Sequence, residues 1–474
     1  MGVPTEQTRP AAGVGLPRRV RLGYATGSLV TGSFGTVPGL LLLPYLTDTL
    51  GVAAGLAGLM VLLPKAWDVV VNPVVGRISD RTTGRWGARR PFLLFGGLSV
   101  AVLFASMFAG VLTGPGGAVW VCVAFVATAT AFAFFQVPYV AMPADMTEAA
   151  GLLDENGERT RMMTWRVGLL ALTILVSGAV APIVVDQFGG ADGTFAGSIR
   201  GHRAMGVFVA AIIVLGALAV FFLTRDAPQG TVVESEKTLR AQLRIAAANK
   251  PFRVLVACFV AQAAGVAAML AGVQYFADHV LHQHNAVTLL FVCVVGPAIL
   301  VMPLWNRVGA RIGKLKGYVL ASLMITAATL SLVTAPLLPV WAVYMVVGVI
   351  GCGYAGQQLF GLAMLPDCIA YDTIRTGRRQ AGVFTGVWTA GETFGLALGP
   401  YIFGQTIQFF GYAPSSTGEA AAQSNAAELG VLLGFTVVPG LVVGLALLFL
   451  RRYDLGTDRP VSTVEVSAST VDAI

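Results

Sequence analysis

The chain has 474 residues, 56% apolar and 12% charged, with a mean hydropathy of +0.76. Soluble proteins carry roughly 25% charged residues, so a string of soluble domains is excluded. The net charge of +7 comes from basic residues scattered through short connections with no interleaved aromatics, which excludes a nucleic-acid partner.

The apolar residues form runs about 20 long, the length of helix that crosses a hydrocarbon core. Twelve spans are predicted, at 22–46, 53–75, 92–113, 118–143, 163–185, 204–223, 254–277, 286–305, 318–335, 339–364, 382–410 and 429–450. The first run is too long for a signal-peptide core and leads straight into the second, so it is expected to be retained. The fold class is therefore an all-α membrane protein. The longest polar connection, 224–253, divides it into a 1–21 tail, a six-helix unit at 22–223, a second at 254–450 and a 451–474 tail expected to be disordered.

Orientation follows from the basic residues. With both termini cytoplasmic, 27 of the 31 lysines and arginines fall on the cytoplasmic side, a strong positive-inside pattern, here for a plasma membrane of the bacterial inner-membrane type. The halves also echo each other. GRISDRTTGRWGARRPF at 76–92 and NRVGARIGKLKG at 306–317 occupy the same place in each half. Duplicated six-helix units are the pattern of a transporter whose two bundles rock about a central site.

Ionisable side chains deep in a membrane are costly and mark function. Lys65 and Asp68 in the second span are three apart and share a face; they form either a structural ion pair or a carboxylate whose occupancy is linked to transport. Asn72 and Pro73 follow one turn later, and proline frees a carbonyl one turn back. Glu392 in the eleventh span has Trp388 one turn earlier. Arg166 opens the fifth span, where it either snorkels or faces the interior. Gln136 and Tyr139 in FQVPYV, and Gln357 and Gln358 in GYAGQQLFG, suit a polyol, although such residues are also ordinary glue between membrane helices. The connection carrying Arg77, Asp80, Arg81, Arg85, Arg89 and Arg90 either anchors helix ends to anionic lipid or locks one state across a seam between bundles.

Cys122, Cys258, Cys293, Cys352 and Cys368 lie in or beside apolar runs without a CxxC spacing, and are expected to be packing residues. His202, His279, His282 and His284 fall in or beside outer connections. No nucleophile elbow or phosphate-binding loop appears, so an enzyme is not expected.

Gly76, Asp80, Arg81, Gly84 and Arg85, followed by Arg89 and Arg90, resemble the loop between spans 2 and 3 of the major facilitator superfamily. KAWDVVVNPVVGRISDRTTGRWGARRPF, FQVPYVAMPADMT with ERTRMMTWR, and LPDCIAYDTIRTGRRQAGVFTGVW are similar to the glycoside-pentoside-hexuronide:cation symporters, a group that extends remotely to sodium-dependent lysolipid transporters. The resemblance spans nearly the whole chain. It implies the major facilitator fold, two pseudo-symmetric six-helix bundles, and cation-coupled symport by alternating access. In the family's melibiose carriers, two aspartates one turn apart in span 2 hold the cation; here the first matches Asp68 and the second is Asn72. A threonine of span 11 aligns with Trp388 and the family's lysine with Glu392. The sugar-binding aspartates align near Gly32 and with Gln136, and the span 5 arginine matches Arg166. Losing a carboxylate weakens a sodium site, since a hard cation wants several oxygens, so protons are favoured over sodium.

The resulting expectation is a monomeric symporter of a sugar, glycoside or similar small polar solute. Asp68, Glu392, Lys65 and Asn72 carry coupling. Gln136, Arg166, Trp388, Tyr139, Gln358 and Gln357 bind substrate, and Gly76, Asp80, Arg81, Arg85, Arg89 and Arg90 form a conformational gate. No metal or prosthetic group is expected, and the partners are a small-molecule substrate and the lipid bilayer. A transporter or exporter of an amphipathic substrate such as a lysolipid or drug, and a non-transporting receptor, are the alternatives.

Overall fold

A segment in lipid must satisfy every backbone N–H and C=O internally, and the described residues do so with helices. The computed structural model describes residues 15–82, 86–112, 114–151, 155–190, 195–228, 239–283, 286–376, 381–415 and 422–454. Gly84, Arg85, His284, most of the central connection and most of both tails lie outside the described residues, as does the side chain of Asp80.

The first span joins α1 (Arg18–Thr26), α2 (Ser28–Pro44) and a π-helical turn, Tyr45–Thr49. The second to sixth spans are α3 (Ala54–Arg81), α4 (Arg90–Met107), α5 (Gly114–Ala149), α6 (Glu155–Gly189) and α7 (Phe195–Leu223). A short α8 (Leu239–Ala248) precedes α9 (Lys250–His279). α10 (Ala286–Leu300) and α11 (Met302–Ile312) form one span bent by 53°. α12 (Lys314–Ser331), α13 (Val340–Thr376), α14 (Ala381–Phe409) and the pair α15 (Asn425–Phe435) and α16 (Val437–Leu450) complete the set.

Ten of these spans are long and apolar enough to cross a membrane, and the bent pair is an eleventh. The twelfth among the described residues is α14. Its 29 residues reach about 43 Å at 1.5 Å each, and Glu392, Gln405 and Gln408 dilute its apolarity. The helices outrun the apolar segments that announce them: α5 has 36 residues and α13 has 37. Arg18–Arg21, read as tail, are helical, and so are residues 306–312, read as a connection. Hydropathy falls where a helix leaves the lipid, whereas the helix stops where its backbone bonding stops; α11 ends at Gly313, whose φ is +86°.

The two halves pack alike. Within the first, α3 and α4 pack on α5, α4 on α7, α2 on α6 and α7, and α6 on α7. In the second, the counterparts α10 and α12 pack on α13, α12 on α16, α9 on α14, α15 and α16, and α14 on α15. Between bundles, α3 meets α14, α10 meets α6, and α2 meets α9. This is the pairing pattern of two six-helix units related by a two-fold axis.

The apolar core is shared unevenly. One buried cluster fills the first bundle and continues through Tyr275, Phe276, Phe291, Phe403 and Phe435 of the second. The other half of the second bundle has its own core around Phe252, Tyr318, Phe360, Phe384 and Trp388. The bundles are thus fused at the end bearing the turn between the first span and α3, here termed the outer end, and their cores are separate at the inner end.

Candidate functional site

α3 and α14 run antiparallel and touch closely near the outer end. A Cβ on Gly58 would lie 2.9 Å from the carbonyl oxygen of Pro400 and 2.9 Å from Tyr401 Cα, so glycine is required for this approach. Ten residues inward along each helix, about 15 Å, bring Asp68 level with Ala390 and close to the level of Glu392. Two acids from opposite bundles therefore share one depth, near the middle of each helix.

Asp68 is 5% exposed and its Oδ1 is buried with no hydrogen-bond partner. Among the described residues no ion pair joins it to Lys65. The Lys65 ammonium instead stands 4.9 Å over the ring of Phe34 on α2, because its long stem reaches the neighbouring helix and a cation over a ring face is attracted to it. The two side chains considered as an ion pair from sequence are thus neighbours on one helix without direct contact. Asn72 is half-buried one turn further on, and α3 runs unbroken through Pro73.

On the second bundle, Glu392 is half-buried and faces Gln358. Gln358 Nε2 in turn donates to the Tyr354 hydroxyl at 2.8 Å, so a tyrosine, an amide and a carboxylate form a polar row from α13 to α14. Gln357 is buried beside it with Nε2 unpartnered. Trp388 is 3% exposed, stacked on Phe259 at 4.1 Å and 25°. Its ring packs on Phe259 in the core and its Nε1 is buried without a partner.

The first bundle contributes a second polar group. Tyr139 stacks on Tyr24 at 4.7 Å, and its hydroxyl donates to the Tyr24 carbonyl at 3.0 Å. The Arg166 guanidinium lies 5.0 Å over the Tyr139 ring, and Ser28 Oγ donates to the Arg166 carbonyl at 3.0 Å. Arg166 Nε and Gln136 Oε1 are buried without partners. Arg166 does not simply snorkel: the aromatic pair holds it against α1 and α5. Unpaired donors and acceptors of this kind can bind a polar solute.

The arginines expected at a seam divide differently. Arg89 Nε donates to Asp145 at 2.8 Å and its Nη1 to Ser79 Oγ at 2.7 Å. Arg90 donates to the Phe221 carbonyl at 2.8 Å and lies 4.6 Å over the Phe221 ring. Both are buried and tie α4 to α3, α5 and α7 inside one bundle, because guanidinia at a helix N-terminus are drawn to acceptors on adjacent helices. Gly76 packs against Val137, and Arg81 is exposed at the end of α3.

A polar clasp that the sequence did not reveal joins the bundles at the outer end. The Tyr412 hydroxyl donates to Asp48 Oδ1 at 2.9 Å and lies 3.2 Å from His279 Nε2. Burial raises the Tyr412 phenol far above its ordinary pKa, and the charge of Asp48 adds to this, so it keeps its proton for Asp48. Thr47 and Tyr275 share a 2.6 Å bond, and the Ser415 amide donates to the Thr47 carbonyl at 3.0 Å. The Gly55 amide donates to Gln408 Oε1 at 2.6 Å, and Thr288 Oγ1 to the Ala179 carbonyl at 3.2 Å. By contrast, Lys314–Asp367 and Arg375–Asp372, ion pairs of the inner end, stay within the second bundle. The sequence signal was a lone acid two residues past the expected end of the first span, and it names no partner. His279, read as a residue beside an outer connection, belongs to this clasp.

Comparison with known proteins follows this geometry. Residues 23–457 match the family model described as MFS/sugar transport protein. An uncharacterized symporter of Bacillus subtilis (strain 168) is 26% identical over 92% of this chain and 91% of the relative. An isoprimeverose transporter of Lactiplantibacillus pentosus is 24% identical over 94% of this chain and 90% of its own. The solved D-xylose-proton symporter superposes with a TM-score of 0.65 at 14% identity, covering 92% of this chain and 97% of that one, which shows the major facilitator fold.

Proposed function

The chain belongs to the MFS/sugar transport protein family, and from that premise we propose that it couples the movement of a sugar, glycoside or similar small polar solute to protons, rather than sodium, by alternating access. The observation that carries this reading is the pair of acids, Asp68 and Glu392, at one depth on facing helices of opposite bundles, with one Asp68 oxygen buried and unpartnered. A carboxylate in such a place is far cheaper to hold neutral than charged, so a proton taken up there is linked to how far the site is closed. Asn72 in place of a second acid supports the proton over a hard cation.

In this reading the solute sits between Gln136 and Arg166, the latter backed by Tyr139, on one side and Gln357, Gln358 and the Tyr354 row on the other. The units 22–223 and 254–450 are the rocking bodies. The bias of basic residues supports cytoplasmic termini in a bacterial inner-membrane setting, which makes the conformation inward-facing, with the outer clasp closed. The protein acts as a monomer without a prosthetic group.

The test is uptake by proteoliposomes holding the purified full chain, offered radiolabelled glycosides and pentoses beside a lysolipid panel. Concentrative uptake of a glycoside or pentose that collapses with a protonophore and ignores replacement of sodium is expected. Dependence on sodium alone overturns the ion assignment, and movement of lysolipid only overturns the substrate class.

A further inference from the structure

The two halves place a basic segment at equivalent points, and in each the residues at the start of the following helix are neutralised within the bundle. In the first half, Arg89 and Arg90 are consumed inside the bundle by Asp145, Ser79 and the Phe221 carbonyl. In the second, Arg307 and Arg311 on α11 are exposed and, among the described residues, have no carboxylate or carbonyl partner. The neighbouring Lys314 is neutralised by both oxygens of Asp367 at 2.8 Å, which leaves the two arginines as the free cations of this helix.

α11 is held firmly, so the cations are presented rather than loose. Trp305 is buried, donates its Nε1–H to the Cys352 carbonyl at 2.7 Å and meets Phe360 edge-on at 5.8 Å. Gly309 closes on the same Phe360 ring. The opposite face carries Leu304, Arg307 and Arg311, spaced at i, i+3 and i+7 on one stripe. Leu304 is 57% exposed, and Leu300, the last residue of α10, is 79% exposed, so exposed apolar side chains precede the two cations along the chain. α11 follows a 53° bend at its junction with α10, at the inner end of the molecule.

Side chains four apart on a helix have Cβ atoms about 5 to 6 Å apart, and two guanidinia at that spacing can take one phosphate with forked bonds. We propose that this face of α11 is a binding site for an anionic phospholipid, its phosphodiester held between Arg307 and Arg311 and its acyl chains lying along Leu300 and Leu304. The exposed Lys316 strengthens the positive field. The apolar half of the stripe selects a lipid over a free phosphate, which has nothing to lay against the leucines. This site is separate from the solute cavity and stands whatever the transported substrate proves to be.

The experiment places the purified full chain in nanodiscs of phosphatidylcholine containing a minor fraction of phosphatidylglycerol, and measures retained lipid by native mass spectrometry. Preferential retention of phosphatidylglycerol is expected for the unaltered chain. It should fall about 30-fold in Arg307→Gln/Arg311→Gln, the loss expected when two basic residues leave an anionic surface. Arg451→Gln/Arg452→Gln, a charge-matched change on the same side of the membrane, should retain it. Equal retention in the α11 double variant, equal loss in both double variants, or full displacement by millimolar inorganic phosphate would each overturn the proposal. Circular dichroism of each variant distinguishes lost binding from lost folding: an α11 variant that loses helix is replaced by Arg307→Lys/Arg311→Lys, for which forked recognition is lost and reduced retention is again expected.

Discussion

The Tyr412 hydroxyl and Asp48 Oδ1 are 2.9 Å apart across 364 residues of sequence, and this bond links the first span to the connection between α14 and α15. The outer face cannot open without breaking it. A buried hydrogen bond contributes about 0.5 to 1.5 kcal/mol, and about 1.5 to 3 where one partner is charged, so Tyr412→Phe should move the equilibrium towards the outward-open state by roughly 3- to 100-fold. Electron-electron distance measurement between spin labels at Leu112 and Leu337, exposed at the outer ends of the two bundles, should report a longer population. An unchanged distribution would show that the bond does not hold the gate.

Gly58 tests the same closure by sterics instead of hydrogen bonding. Gly58→Ala places a Cβ against Pro400 and Tyr401, and Gly58→Val adds two methyls where none fit. Overpacking costs about 1 to 3 kcal/mol, so the same label pair should separate in a graded manner, valine more than alanine. If both variants keep the closed distance, the α3–α14 crossing is more pliant than its geometry implies.

Asp68→Asn keeps the shape of the side chain and removes its titration. Accumulation of solute against a gradient should be abolished, while counterflow exchange between equal concentrations persists in part, because exchange needs binding but no net proton movement. Concentrative uptake at the unaltered rate would remove Asp68 from the coupling step.

Arg89 is a strut of the first bundle, so Arg89→Gln should cost stability rather than change conformational bias. Breaking a largely buried, charge-assisted pair costs about 1 to 3 kcal/mol. The melting temperature of the purified protein should fall by several degrees with the Leu112–Leu337 distances unchanged. Asp145→Asn should lower it similarly, and the double variant should fall by less than the sum, as expected for partners. Additive losses would mean that the two side chains act independently.

Much of this architecture is legible in one dimension because lipid imposes a one-dimensional rule. A backbone in hydrocarbon must close its hydrogen bonds within its own helix, so a run of about 20 apolar residues commits to a span regardless of its neighbours. Eleven of the twelve expected spans and the intramembrane placing of Asp68 and Glu392 follow from that rule and from the cost of charge in oil. Its limits appear at Arg18–Arg21 and 306–312, where the helix continues after hydropathy has fallen.

Which polar groups meet was decided only in three dimensions. Lys65 and Asp68 share a helix face, yet Lys65 turns to Phe34 because the neighbouring helix offers a ring that the helix itself lacks. The sequence does not show that Trp388 packs on Phe259, nor that Arg89 and Arg90 find Asp145 and the Phe221 carbonyl within their own bundle. Asp48, Tyr412 and His279 are unremarkable apart and form one chain of bonds together. Side-chain partnership depends on helix rotation and on distances between segments hundreds of residues apart, and periodicity along a single chain contains neither.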